Sequence, residues 1–166
     1  MALRPMLLRM IPGLLALLAL LPGSMAAADE KKLGIGPDPA LSPAAVVQLQ
    51  LAALANVDKP VRDAGFAIVF ALASPGNRSQ TGPLAHFAAL IRETYPAMLN
   101  HRASTLAPLI SEGRQAIQGV ELIDRTGVVH RYVFTLSKQP DGPYKDCWLT
   151  DGVVQAPEEG EPEIAI

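Results

Sequence analysis

The chain has 166 residues, a single cysteine, and 14 basic against 16 acidic side chains, a formal charge of −2. That balance excludes the concentrated Lys and Arg which nucleic acids and anionic membrane surfaces select. Cys147, the only cysteine, has no partner for an intramolecular disulfide, so an apolar core alone must hold the fold.

The opening stretch "MALRPMLLRMIPGLLALLALLPGSMAAADE" has the three parts of a secretory signal. Arg4 and Arg9 supply the positive start, Leu14 to Leu21 the apolar run, and Ser24-Met25-Ala26 or Ala26-Ala27-Ala28 the small residues of a cleavage site. A run of about eight apolar residues falls well short of the roughly 20 that cross a bilayer. Residues 1–28 therefore read as a cleaved signal peptide, with an uncleaved anchor as the alternative. There is no twin-arginine pair and no cysteine for a lipid anchor. Removing 1–28 takes away two basic residues and no acidic one, so 12 basic and 16 acidic side chains remain, a charge of −4. The chain is expected to be exported, periplasmic or secreted, without a stable membrane anchor after cleavage. Residues 29–41 mix charge with Gly and Pro as a linker. Residues 157–166, "PEEGEPEIAI" with Ala156 before them, read as an acidic solvated tail. One domain is expected over 42–156.

The domain opens on a helix. Ser42 suits an N-cap, Pro43 the first helical position, and "AAVVQLQLAALAN" is apolar on more than one side. A second helix, "DAGFAIVFALAS", is apolar nearly all round and must be enclosed by other elements. "SPGNRSQTGP" then reads as a corner: Pro75 ends one helix, Gly76-Asn77 turns, and Thr81 or Gly82 caps the next. The third helix, "GPLAHFAALIRE", puts Leu84, Phe87, Ala88 and Ile91 on one face and stops near Tyr95-Pro96.

From Ala103 the period changes to that of strands. "STLAPLISE" alternates loosely, and Pro108 marks an edge strand or a bulge. "QAIQGVELID" runs through Asp124-Arg125-Thr126-Gly127 into "VVHRYVFTLSK", with Gly127 in the left-handed position of the hairpin loop. His130, Tyr132, Phe134 and Leu136 face one way along the returning strand. "QPDGP" makes a second turn and "YKDCWLTDGVV" closes the sheet. Three helices followed by four antiparallel strands indicate an α+β fold, with the N-terminal helices packed in a curved antiparallel sheet.

The block "GFAIVFALASPGNRSQTGPLAHFAALI", with "LNHR" downstream and the closing "CWLTDGVV", resembles a family of uncharacterised proteins found in bacteria and plastid-bearing organisms, a domain of unknown function. The resemblance spans roughly residues 43–156. The helix-then-sheet order is also similar to the nuclear-transport-factor-like α+β cones, which include the SnoaL-like, cystatin-like and ketosteroid-isomerase-like proteins. It implies a fold and no chemistry, and the export signal argues against transferring a plastid role.

Motifs for chemistry are sparse. Gly76 and Gly82 enclose five residues and precede Pro83, which does not match a phosphate-binding loop. No G-x-S-x-G occurs, and His86, His101 and His130 are too far apart for a short-range metal motif, so no metal and no cofactor are expected. Cys147 beside Trp148 reads as a small core residue, and His130 as a packed, hydrogen-bonded one. Asn77 and Arg78 exceed what a corner requires, and Asn100-His101-Arg102 lies where helices give way to the sheet. Asn77, Arg78, His101 and Arg102 are the candidate ligand-binding residues: at the mouth of a cone they would grip a carboxylate or phosphate, while local capping and ion pairing is the plainer account. Asp63, Tyr95, His101 and Asp146 are the candidate acid–base groups.

Three functions fit. The first is a non-catalytic exported domain that binds a small ligand or a protein. The second is a small hydrolase or isomerase with one acid–base residue in the pocket. The third is a structural homodimer joined through the sheet.

Overall fold

The computed structural model describes residues 35–157. The expected signal peptide, the start of the linker and nearly all of the acidic tail lie outside the described residues.

Helix α1 (Pro43–Ala55) begins as its sequence dictates: Ser42 Oγ accepts the amide of Ala45 at 3.2 Å and Pro43 occupies the first turn. Val46, Val47, Leu51 and Leu54 are buried along it, and so is Gln50. Helix α2 (Ala64–Ala71) is the enclosed apolar rod, with Phe66, Ile68 and Val69 buried. It enters through Asp63 in the left-handed conformation (φ 65°), whose amide donates to Asp58 Oδ1 at 3.0 Å. Gly65 is required by packing: a Cβ there would sit 2.4 Å from the carbonyl oxygen of Ala53 and 2.8 Å from Val57 Cα. The two helices touch backbone to backbone at this point.

The expected corner at residues 74–82 is itself a helix, α3 (Pro75–Thr81), so the described residues hold four α-helices rather than three. Ser74-Pro75 repeats the Ser42-Pro43 arrangement: Ser74 Oγ accepts the amide of Asn77 at 3.2 Å and Pro75 starts the turn. Pro75 therefore opens a helix here as well as barring continuation of the one before. No residue of α3 is buried. Helix α4 (Leu84–Thr94) buries Phe87, Ala88 and Ile91. Leu84, expected on the same face, is in the first turn and is 38% exposed. The helix stops at Tyr95, and Pro96–Met98 forms a 3₁₀ turn.

Five strands follow instead of four: β1 (Ala103–Leu106), β2 (Ile110–Glu112), β3 (Gln115–Ile123), β4 (Val129–Lys138) and β5 (Trp148–Gln155). All pair antiparallel in the order β1-β3-β4-β5, and β2 shares with β1 the same edge of β3. The edge strand or bulge expected at "STLAPLISE" is an edge interrupted around Pro108, which has no amide proton to continue the ladder: four steps from Leu106 to Ile110 run beside three from Val120 to Ile117. Gly127 takes φ 99° in the β3–β4 hairpin, as expected of that loop.

Ala116, Val120 and Leu122 of β3 and Tyr132, Phe134 and Leu136 of β4 are buried beneath the helices. Each fully buried Val, Leu or Phe among them is worth about 1.5–3 kcal/mol. At β5 the ladder slips: Thr135 pairs with Gly152 but Leu136 with Thr150, which leaves Asp151 as the extra residue of a bulge. The free edge of β5 is met by the segment leaving α2. Thr150 donates to the Leu72 carbonyl and accepts from the Ser74 amide, each at 2.9 Å, in a one-residue parallel bridge centred on Ala73. The molecule is an α+β fold with helices on one face of an open antiparallel sheet.

Candidate functional site

Between the helices and the sheet lies a cavity of about 200 Å³. Leu54 of α1, Val69 of α2, Phe87, Leu90 and Ile91 of α4, Met98, and Phe134 and Val153 of the sheet give it mainly apolar walls. Asn77, Gln80 and Thr81 of α3 line its more exposed side, together with Asp151. Among the described residues that line it there is no Lys, Arg or His.

Its polar side chains are anchored within the protein. Gln50 and Thr150, 1% and 2% exposed, are joined by a 2.8 Å hydrogen bond from Thr150 Oγ1 to Gln50 Oε1, and Gln50 Nε2 donates to the Val69 carbonyl at 3.3 Å. Tyr95 donates to the Val153 carbonyl at 2.7 Å, and burial raises its phenol pKa above the ordinary value. Asn77 Nδ2 donates to the carbonyl of the bulged Asp151 at 3.0 Å, which ties α3 to β5. The Asp151 carboxylate is engaged elsewhere, accepting from Ser137 Oγ at 2.9 Å. The cavity thus offers hydrogen-bonding groups but no cation.

Of the four candidate ligand-binding residues, Asn77 lines this cavity, whereas Arg78, His101 and Arg102 are not among its lining residues. Arg78 folds back on its own neighbourhood. Its Nε donates to the Ala73 carbonyl at 2.9 Å, Nη2 to the Ala71 carbonyl and Nη1 to Tyr144 Oη at 3.1 Å. The guanidinium carbon also stands 5.3 Å from the Phe70 ring centre and 5.0 Å from that of Tyr144. His101 is buried, its Nδ1 2.8 Å from the Met98 carbonyl and hence carrying the proton. Arg102 is exposed beside the β3–β4 hairpin, where its Nη1 approaches Gly127.

The acid–base candidates are dispersed too. Asp63 pairs with Arg92, and Asp146, itself left-handed at φ 63°, stands 3.6 Å from Arg114. Only Tyr95 of that set lines the cavity. His130 faces Asp124, with Nε2 to Oδ2 at 3.0 Å, and its ring stacks near Tyr132. Cys147 is buried and its thiol pKa is raised, by burial first and then by the charges of Asp38 and Asp146. Among the described residues no group of three or more His, Cys, Asp or Glu is placed to hold a metal ion, and no helix is long and apolar enough to cross a membrane.

The model of the family described as Domain of unknown function (DUF4864) matches residues 40–162. The chain belongs to the DUF4864 family. No curated protein and no solved structure matches it. Every residue lining the cavity, from Gln50 to Val153, falls inside the span matched by the DUF4864 model. Sequence reasoning passed over the two most buried polar residues of the DUF4864 cavity, Gln50 and Thr150. A signal for Gln50 existed: it stands three or four positions from Val46, Val47 and Leu54, alone and polar within a stripe destined for the core. Thr150 gave none, because its burial comes from the bridge to Ala73 and from the bulge beside it.

Proposed function

We propose that this domain is a non-catalytic binding module whose cavity takes a small, mainly apolar molecule. The observation that carries the reading is a space of about 200 Å³ with mainly apolar walls, bordered by α3 on its more exposed side. An apolar protein cavity of about 150 Å³ stays dry and takes up benzene, so this one matches a single substituted ring or a short acyl chain. The dispersal of the acid–base candidates supports binding over catalysis. We also assign the domain to the nuclear-transport-factor-like cones on its helix-then-sheet order, and to an exported, periplasmic or secreted location on the character of residues 1–28.

Titration with toluene, followed by ligand-observed NMR and thermal unfolding, tests the reading. Toluene is expected to bind saturably and raise Tm, and Leu90→Trp, which fills the cavity from its wall, is expected to abolish both effects while retaining the far-UV spectrum. Failure of both toluene and benzyl alcohol to saturate or stabilise would refute it.

A second reading, a homodimer joined through the sheet, is favoured by the outer sheet face. There Ile110, Ile117, Val129 and Val154 are 67%, 44%, 44% and 59% exposed.

A further inference from the structure

Building on the cavity reading, we infer that the ligand is uncharged and carries one hydroxyl or carbonyl group, and that the Gln50–Thr150 pair is the specificity determinant which receives it. A carboxamide offers two N–H donors and two acceptor lone pairs on its oxygen. Gln50 uses one donor on the Val69 carbonyl and one lone pair on Thr150, so one of each remains, together with the lone pairs of the Thr150 hydroxyl. Both side chains line the cavity and both are almost wholly buried. The protein has therefore placed hydrogen-bonding capacity that its own groups do not exhaust inside an apolar chamber, where its value to a ligand is greatest.

Charge is selected against in both signs. A carboxylate would meet no Lys, Arg or His on the walls, and the nearby Arg78 spends its donors on Ala71, Ala73 and Tyr144. Among the described wall residues an ammonium group would have Asp151 as its one acidic neighbour, an exposed carboxylate that already accepts from Ser137 and whose attraction solvent screens. Burying an ion without a partner costs far more than burying a hydroxyl that finds one. A purely apolar ligand loses in a different way: it leaves the remaining donor and acceptor of Gln50 unused.

Four probes sharing one ring separate these outcomes: toluene, benzyl alcohol, benzoate and benzylammonium, each titrated by NMR against the 166-residue chain. Benzyl alcohol, although far better hydrated than toluene, is expected to bind at least as tightly as toluene. The two ions are expected to bind at least about 100-fold more weakly, as unpaired buried charges do. Gln50→Leu is expected to reverse the neutral pair, with toluene favoured by about tenfold or more, the scale of a lost hydrogen bond between buried groups. Thr150→Val, with a side chain of the same shape, frees the second lone pair of Gln50 Oε1 and is expected to widen the preference for benzyl alcohol over toluene, so the comparison survives should Gln50→Leu fail to fold. Toluene outcompeting benzyl alcohol by tenfold in the wild type overturns this inference and leaves the cavity reading intact, and so does benzoate or benzylammonium binding as well as benzyl alcohol. Binding of none of the four overturns both.

Discussion

Arg78 and Tyr144 meet at 3.1 Å, guanidinium Nη1 to phenol Oη, and so join α3 to the turn that precedes β5. The same guanidinium reaches the Ala71 and Ala73 carbonyls, at the end of α2 where helical carbonyls lack intrahelical partners. An arginine this committed acts as a C-terminal cap for α2. Hydrogen bonds to charged groups contribute about 1.5–3 kcal/mol, and Arg78→Ala is expected to lower stability by about 2 kcal/mol in urea unfolding. Arg78→Lys keeps the charge but loses the planar fork and is expected to recover less than half of it. Toluene affinity is expected to stay the same in both variants. A loss of ligand binding with stability unchanged would show that Arg78 serves the ligand instead.

Gly65 makes the second prediction. Its missing side chain lets α1 and α2 approach until an added Cβ would lie 2.4 Å from the Ala53 oxygen. The obstructing atoms are backbone and cannot rotate away. Gly65→Ala should favour an isolated helix, yet in this fold it must push the helices apart and is expected to cost about 1–3 kcal/mol, the usual penalty of overpacking. Thermal unfolding decides it: an unchanged or raised Tm would mean that the two helices are not in backbone contact.

The two Ser-Pro pairs show how far the sequence can be read. Ser42-Pro43 is recognisable as a helix start because an apolar, alanine-rich run follows it. Ser74-Pro75 makes the same cap, but "GNRSQT" follows, short of good helix formers and without an apolar stripe, so local preference points to a turn. What holds α3 is remote: Asn77 on the Asp151 carbonyl, and Arg78 on Tyr144, 66 residues away. The alternation of β4 and the enclosed character of α2 are local properties and were legible. The cavity was not, since its polar floor joins Gln50 to Thr150, 100 residues apart, next to a bulge that no periodicity announces.

Asp124 yields a prediction with a defined sign. Its Oδ1 accepts from Thr126 N and Oγ1, both at 2.7 Å, from Gly127 N at 2.9 Å and from Val128 N at 3.0 Å, while Oδ2 faces His130. The Thr126 side chain does most to hold the carboxyl well below the ordinary range; burial opposes it, and His130 with the Val128 and Thr126 amides reinforces the lowering. A lowered folded-state pKa gives stability that is present above the unfolded value of about 3.9 and is lost as pH falls toward the folded value. Asp124→Asn is therefore expected to be less stable than wild type at neutral pH and to show a flatter stability profile between about pH 5 and pH 2. Parallel profiles for the two proteins would remove Asp124 from the acid response.

The outer sheet face supports the last prediction. Register places Ile110 opposite Ile117, which faces Thr135, and on the next rung Gly119 opposite Val133 and Val133 opposite Val154, so apolar side chains of β2 to β5 share this face in two adjacent rows. Set into that face is an ion pair, Arg131 Nε to Glu121 Oε2 at 3.4 Å. A face that carries both signs of charge is suited to a second copy of itself: under a two-fold rotation each Glu121 can face the other subunit's Arg131 while the Ile and Val side chains close over one another. A stable interface of this kind buries about 800 Å² on each partner, which requires most of a sheet face. Native mass spectrometry is expected to find a dimer at micromolar concentration. The double variant Ile117→Glu/Val154→Glu is expected to be monomeric with an unchanged far-UV spectrum, because four added carboxylates cannot be buried together without counter-ions. A wild-type chain that stays monomeric up to about 100 μM, well above the range expected for an interface of this size, would leave the two apolar rows without a partner of their own kind.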